Sequence, residues 1–275
     1  IDFSRRNGYT MVTIKADIIS GMLKGAFFMR SNAVSLPSSI QNLPDFTLPS
    51  RPRRKKEVRD PYDGLRPWSA ITHGIGAVLS AVGTVALLLR SVALGSALDF
   101  WVFLIYGLSM TGLYTASTLY HCVSTSVAGR IALRKYDHCS IYLLIAGSYT
   151  PVCLLGLRDS GGAILLAVVW AVGLLGMILT IAKLSIPRWL TSAIYLFMGW
   201  LAIFAIVPLH RSLPAAGFAW LLAGGLLYTV GGVLYAAKWP GRNNPRFGCH
   251  EIFHLFILLG SIAHFVMMYT VIAFL

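Results

Sequence analysis

The sequence predicts an all-α membrane protein that folds as a bundle of seven transmembrane helices. Hydrophobic residues make up 56% of the 275-residue chain and charged residues only 12%, which is too apolar for an ordinary soluble domain of this length. From Trp68 onward, seven apolar stretches alternate with short polar connections. Each stretch is near the ~20 residues that a helix needs to cross the hydrocarbon core. Because lipid offers the backbone no hydrogen-bond partners, helices are the structure expected.

The seven predicted segments end where proline, glycine or charged residues enter the sequence. They cover residues 69–89, 100–121, 138–157, 161–182, 190–209, 215–237 and 251–275. In the sixth segment, two glycine pairs seven residues apart predict a stripe where a neighbouring helix packs closely. These glycines are Gly224, Gly225, Gly231 and Gly232.

The distribution of Lys and Arg predicts the orientation in the membrane. Residues 1–68 hold twelve of the 23 basic residues, and the connections after the second, fourth and sixth segments hold eight more. The other three connections hold Arg90, Arg158 and Arg211. Because basic loops stay on the cytoplasmic side, we expect the N-terminus inside and the C-terminus outside. The protein is therefore expected to be integral to the cell membrane.

The first 67 residues are predicted to form a basic, largely disordered cytoplasmic tail ahead of the membrane domain at residues 68–275. Ser, Pro and Asn punctuate residues 31–52, and the cluster RPRRKK at residues 51–56 precedes the first segment. Such a cluster favours anionic lipid of the inner leaflet as a partner. No aromatic residues are interleaved for base stacking, so no nucleic acid is expected. A simple orientation signal is the alternative interpretation.

Three histidines near the inner ends of the predicted segments form a candidate metal site. His250 and His254 are four residues apart, so both imidazoles lie on one helix face and can approach one ion. His121 ends the second segment at the same predicted depth and is the candidate third ligand. Three protein ligands with one position left for water are typical of catalytic zinc.

Two further side chains are candidates for catalysis beside this site. Ser117 precedes His121 by one helical turn, and Asp137 lies at the predicted start of the third segment. A carboxylate there can hold water or orient a ligand histidine. The sequence leaves open whether Asp137 instead caps the third helix, and whether Ser117 merely bonds the backbone or a neighbouring helix.

The stretch HEIFH at residues 250–254 also matches the H-E-x-x-H pattern of zinc proteases. In those enzymes the glutamate is the general base, whereas in this chain the candidate third ligand comes from a distant helix. Here the pattern lies at a membrane edge, where we interpret Glu251 as an interfacial residue rather than the base. Cys122, Cys139 and Cys249 each neighbour a histidine, but adjacent helical residues diverge by about 100°. These thiols are therefore expected to point away from the metal.

Taken together, these motifs resemble the hemolysin III family, within the progestin and adiponectin receptor superfamily. The resemblance rests on Ser117-x3-His121, on LRKYDHCSIYLLIAGSYTP at residues 133–151 and on HEIFHLF at residues 250–256, with THGIG at residues 72–76 similar to the family's first-helix motif. It implies seven helices, a cytoplasmic N-terminus and zinc held by His121, His250 and His254, with Asp137 and Ser117 next to the metal and its water. One departure precedes the first segment: many relatives carry a Glu and an Asn there, whereas this chain has RPWS at residues 66–69.

The sequence leaves three functions open. One is a zinc-dependent hydrolase of lipid amides or esters, or a related regulator of membrane lipid state. The second is a hemolysin-like cytolytic pore or channel, although no ring of charges repeats along the segments as in an ion channel. The third is a receptor in which the zinc is structural. The sequence predicts neither the substrate nor the oligomeric state.

Overall fold

The computed structural model describes residues 65–182, 188–241 and 247–275, with the backbone alone for Arg188 and Trp189. The predicted N-terminal tail and its basic cluster lie outside these residues. Every regular element described is helical. The helices are α1 (Pro67–Ala93), α2 (Ala97–Cys122), α3 (Val127–Pro151), α4 (Gly162–Ile181), α5 (Arg188–Trp200), α6 (Ile206–Ser212), α7 (Ala215–Ala237) and α8 (Cys249–Thr270).

The prediction of seven membrane-spanning segments is confirmed. Seven helical spans are long and apolar enough to cross a membrane, and the fifth of them, Leu190–Ser212, combines most of α5 with α6. The protein is therefore an integral membrane protein of all-α fold. The orientation of its termini stays a prediction.

The third helix begins earlier than the sequence predicted, at Val127 instead of His138. The Ser126 hydroxyl caps its N-terminus by accepting a hydrogen bond from the Gly129 N–H at 3.2 Å. Its first turns contain the charged residues Arg130, Arg134, Lys135 and Asp137. For this reason the sequence analysis assigned them to a connection between helices. Lys135 on these turns donates to the Ile181 carbonyl at the end of α4, at 2.6 Å. Asp137 therefore lies inside α3, and its interpretation as an N-cap is wrong.

The fifth span is interrupted by the short 3-10 helix Leu201–Ala205, where the sequence predicted one continuous helix. The Tyr149 hydroxyl, from α3, enters this part of the backbone. It donates to the Gly199 carbonyl at 2.7 Å and accepts from the Ala202 N–H at 2.8 Å. A side chain that inserts into the hydrogen-bond ladder in this way breaks the α-helix.

Glycines on α7 allow α8 to pack closely, although not all of the predicted ones take part. Gly217, Gly224 and Gly231 are buried and recur every seven residues, so they lie on one face of the helix. A methyl group at these positions would meet Val271, just after α8, and the His264 ring and Phe256 of α8, respectively. Gly225 and Gly232 have nothing within 4 Å of such a group, so the predicted stripe is corrected to this buried set of three.

This packing predicts different effects for two adjacent glycines. Gly224→Ala should lower the free energy of unfolding by about 1–3 kcal/mol, because the new methyl group collides with the His264 ring. Gly225→Ala is the matched control, and it should be neutral or stabilising by about 0.5–1 kcal/mol, since alanine favours the helix. Thermal or denaturant unfolding in detergent would measure both. Equal effects of the two substitutions would contradict the packing described.

Candidate metal centre

The three predicted ligand histidines converge at one end of the bundle. His121 lies in the last turn of α2, and His250 and His254 lie in the first two turns of α8. One ligand atom from each lies within 4.8 Å of the others, and the Nε2 atoms of His121 and His250 are 3.2 Å apart. Tetrahedral zinc with Zn–N bonds of about 2.0–2.1 Å separates its nitrogens by roughly 3.4 Å. The spacing of His121 and His250 therefore fits such an ion, and His254 lies within 4.8 Å of both.

Among the described residues, the converging group consists only of histidine side chains. No thiol or carboxylate from the described part of the chain joins these histidines in the group. This agrees with the expectation that the neighbouring cysteines point elsewhere. His121 and His254 are 2% and 3% exposed, and burying their polar nitrogens without partners would be costly. A shared cation would use the lone pairs that these buried rings offer.

One backbone contact favours a metal-binding tautomer of His254. Its Nδ1 lies 3.4 Å from the Ser69 carbonyl of α1. A proton on Nδ1 donated to that carbonyl leaves the Nε2 lone pair free for a ligand bond, as is common for metal-bound histidines.

Ser117 of α2 and Asp137 of α3 interact through their side chains. Ser117 is buried on α2 one turn before His121. Asp137 does not belong to the group of atoms within 4.8 Å. Ser117 is therefore one helical turn from a candidate ligand, and the carboxylate of Asp137 lies outside the set of converging nitrogens.

Glu251, the middle residue of the protease-like pattern, hydrogen-bonds with residues other than the histidines. One carboxylate oxygen accepts hydrogen bonds from Arg66 Nη1 at 3.0 Å and from the Ser69 hydroxyl at 3.2 Å. The other accepts from the Gly248 N–H at 2.9 Å and caps α8. The residue is 3% exposed, and it forms a partly buried ion pair with Arg66. Its expected position at the membrane interface stays a prediction.

His73 is a neighbour of the site to which the sequence analysis assigned no role. Its ring stacks on that of His254 with centroids 3.7 Å apart and planes 15° apart. It is 3% exposed, and both of its ring nitrogens are buried without a hydrogen-bond partner. The available signal for His73 was its spacing of four residues from Ser69, which places both residues on one face of α1. That face contacts His254.

Comparison with known proteins gives the family. A family model described as Haemolysin-III related matches residues 67–265. The chain belongs to the haemolysin III family. It is 42% identical over 197 residues to the Hemolysin-3 homolog of Bacillus subtilis (strain 168). The aligned region covers 72% of this chain and 89% of that protein. It is 40% identical over 193 residues to Hemolysin-3 of Bacillus cereus, covering 70% and 85% of the two chains.

A more distant relative supports the predicted superfamily. This haemolysin III protein is 31% identical over 150 residues to the Adiponectin receptor protein of Drosophila melanogaster. That match covers 48% of this chain and 33% of the receptor. The resemblance drawn from the sequence motifs is therefore confirmed at the level of the family and of its wider group.

Proposed function

We propose that this protein is a zinc-dependent hydrolase that cleaves an amide or ester bond of a membrane lipid. The observation that carries the proposal is the convergence of His121, His250 and His254 within 4.8 Å, with no carboxylate or thiolate in the described group. Catalytic zinc commonly has three protein ligands and an open fourth position, whereas structural zinc is usually closed by four.

The site lies at a depth suited to the polar part of a lipid. All three histidines lie at the ends of apolar spans, in the last turn of α2 and the first turns of α8. Such helix ends are expected near the headgroup region. A lipid diffusing in the bilayer would therefore bring its amide or ester linkage close to the site, while its acyl chains stay in the hydrocarbon core.

Zinc bound by the three imidazoles would polarise a carbonyl and make a water more acidic. The proton leaving that water would pass to a carboxylate oxygen of Asp137. The Ser117 hydroxyl, which interacts with the Asp137 side chain, would orient the carboxylate for this role. The buried nitrogens of His73, beside His254, are available to hold the polar linkage of the lipid.

The names of the relatives favour two other functions. Those from Bacillus are called Hemolysin-3, which suggests membrane lysis by a pore. The Drosophila relative is called an adiponectin receptor, which suggests a receptor with structural zinc. The hydrolase remains our proposal because the described metal group has an incomplete set of protein ligands. Lysis predicts dye release from vesicles, and a receptor predicts zinc binding without turnover.

The first test is the metal content of the purified protein. Wild type should carry about one zinc per chain, since the site offers three imidazoles and one open position. His121→Ala and His254→Ala should each lose most of it. His210→Ala is the control and should retain the metal, because His210 lies near the far end of the fifth span and packs against Phe218. Metal-free wild-type protein that is correctly folded would contradict the proposal.

The second test separates the metal from the chemistry. Asp137→Asn should keep the zinc but reduce hydrolysis by about 10²–10⁴-fold, because an amide cannot accept the proton. Lipid amides and esters in mixed micelles would serve as substrates. Asp99→Asn, in the first turn of α2, is the matched control and should retain activity.

The same proteins should be tested for dye release from liposomes. A wild type that releases dye and hydrolyses no lipid amide or ester in a broad screen would replace the hydrolase with a pore. Undiminished leakage by Asp137→Asn protein would support that conclusion.

A further inference from the structure

We infer that residues 66–69, at the start of α1, act with Glu251 as a bracket that sets the positions of all three metal ligands. The inference rests on the proposed metal centre and adds positioning residues to it. The three ligands come from two helices, so their geometry depends on how the end of α2 is placed relative to the start of α8. The bracket contacts both of these ends.

The first contact joins α1 to the ligand of α2. The Arg66 N–H donates to the backbone carbonyl of His121 at 3.1 Å. His121 lies in the last turn of its helix, where carbonyls lack a partner within the helix. The bracket therefore holds the backbone of the ligand residue itself.

The second contact joins α1 to the start of α8. The Arg66 guanidinium and the Ser69 hydroxyl both donate to Glu251 Oε1, at 3.0 and 3.2 Å. Glu251 directly follows His250 in the chain, and its other oxygen caps the helix at Gly248. The same carboxylate thus determines where α8 begins and ties that turn to α1.

The third contact reaches a ligand ring. The Ser69 carbonyl lies 3.4 Å from Nδ1 of His254. A partner at this position fixes both the orientation and the tautomer of a ligand histidine. Each ligand is therefore in contact with the bracket or is the immediate neighbour of a residue that belongs to it.

The ion pair is shielded enough to hold this geometry. The side chain of Glu251 is 4% exposed and that of Arg66 is 24% exposed. Solvent-exposed pairs contribute little, whereas a buried carboxylate that loses its cation is left uncompensated. In this chain, the glutamate of the pattern H-E-x-x-H thus has a positioning role. Its partners come from RPWS at residues 66–69, the stretch that differs from the family's usual sequence.

The test compares zinc affinity with fold stability in the purified full-length chain. Arg66→Met and Glu251→Gln should each weaken zinc binding by about 10–100-fold in a chelator competition, as expected when residues that orient metal ligands are lost. Arg66→Lys keeps the charge and should restore most of the affinity. The double substitution should be little worse than either single one, because the two residues act as a pair.

Ser96→Ala is the matched control. Ser96 caps the opposite end of α2 by accepting from the Asp99 N–H at 3.2 Å. Its loss should lower the melting temperature without changing zinc affinity. The absorption spectrum of cobalt-substituted protein gives a second readout, since Arg66→Met should alter the ligand field and Ser96→Ala should not.

Two results would overturn the bracket. In the first, Arg66→Met and Glu251→Gln both keep wild-type zinc affinity and an unchanged cobalt spectrum, while His121→Ala loses the metal. This result would reject the bracket but leave the proposed metal centre standing. The other is weakening by Ser96→Ala equal to that by Arg66→Met, which would reduce the bracket to general stability. If Glu251→Gln does not fold, Arg66→Met decides, because the partly exposed Arg66 site tolerates a change better. Retention of zinc by His121→Ala would instead contradict the proposed function itself.

Discussion

The convergence of the end of α2 with the start of α8 is the constraint on which the site depends. It brings His121 beside His250 and His254 at one end of an apolar bundle, where polar groups without partners are costly. The bundle meets this constraint with close packing and with local hydrogen bonds. The buried glycines of α7 let α8 approach, and Tyr114 of α2 donates to Ser261 of α8 at 2.7 Å, deeper than the histidines.

Much of the fold could be predicted from the sequence because the membrane imposes a simple physical rule. Apolar stretches of sufficient length identified the seven spans, and the spacing of His250 and His254 put both rings on one helix face. The start of α3 was missed, because its polar turns at the membrane edge resemble a loop by hydropathy. The break in the fifth span was also missed, since it depends on Tyr149 from another helix.

The partner of Glu251 could not be predicted for a related reason. Arg66 lies 185 positions away in the chain, and the sequence carries no local signal that joins them. The spacing of the pattern H-E-x-x-H correctly predicted that His250 and His254 approach each other, but the role of the middle residue depends on what lies opposite it. The same holds for His73, whose stacking on His254 follows from the packing of α1 against α8.

The account therefore rests on the three histidines acting as ligands of one ion. Zinc-edge X-ray absorption of the purified, zinc-loaded protein tests this most directly, because it reports the number, type and distance of the atoms around the metal. We expect three imidazole nitrogens at about 2.0–2.1 Å and no sulfur ligand. A sulfur ligand at about 2.3 Å, from a thiol such as Cys122 or Cys249, would contradict the account, as would a spectrum without imidazole ligands.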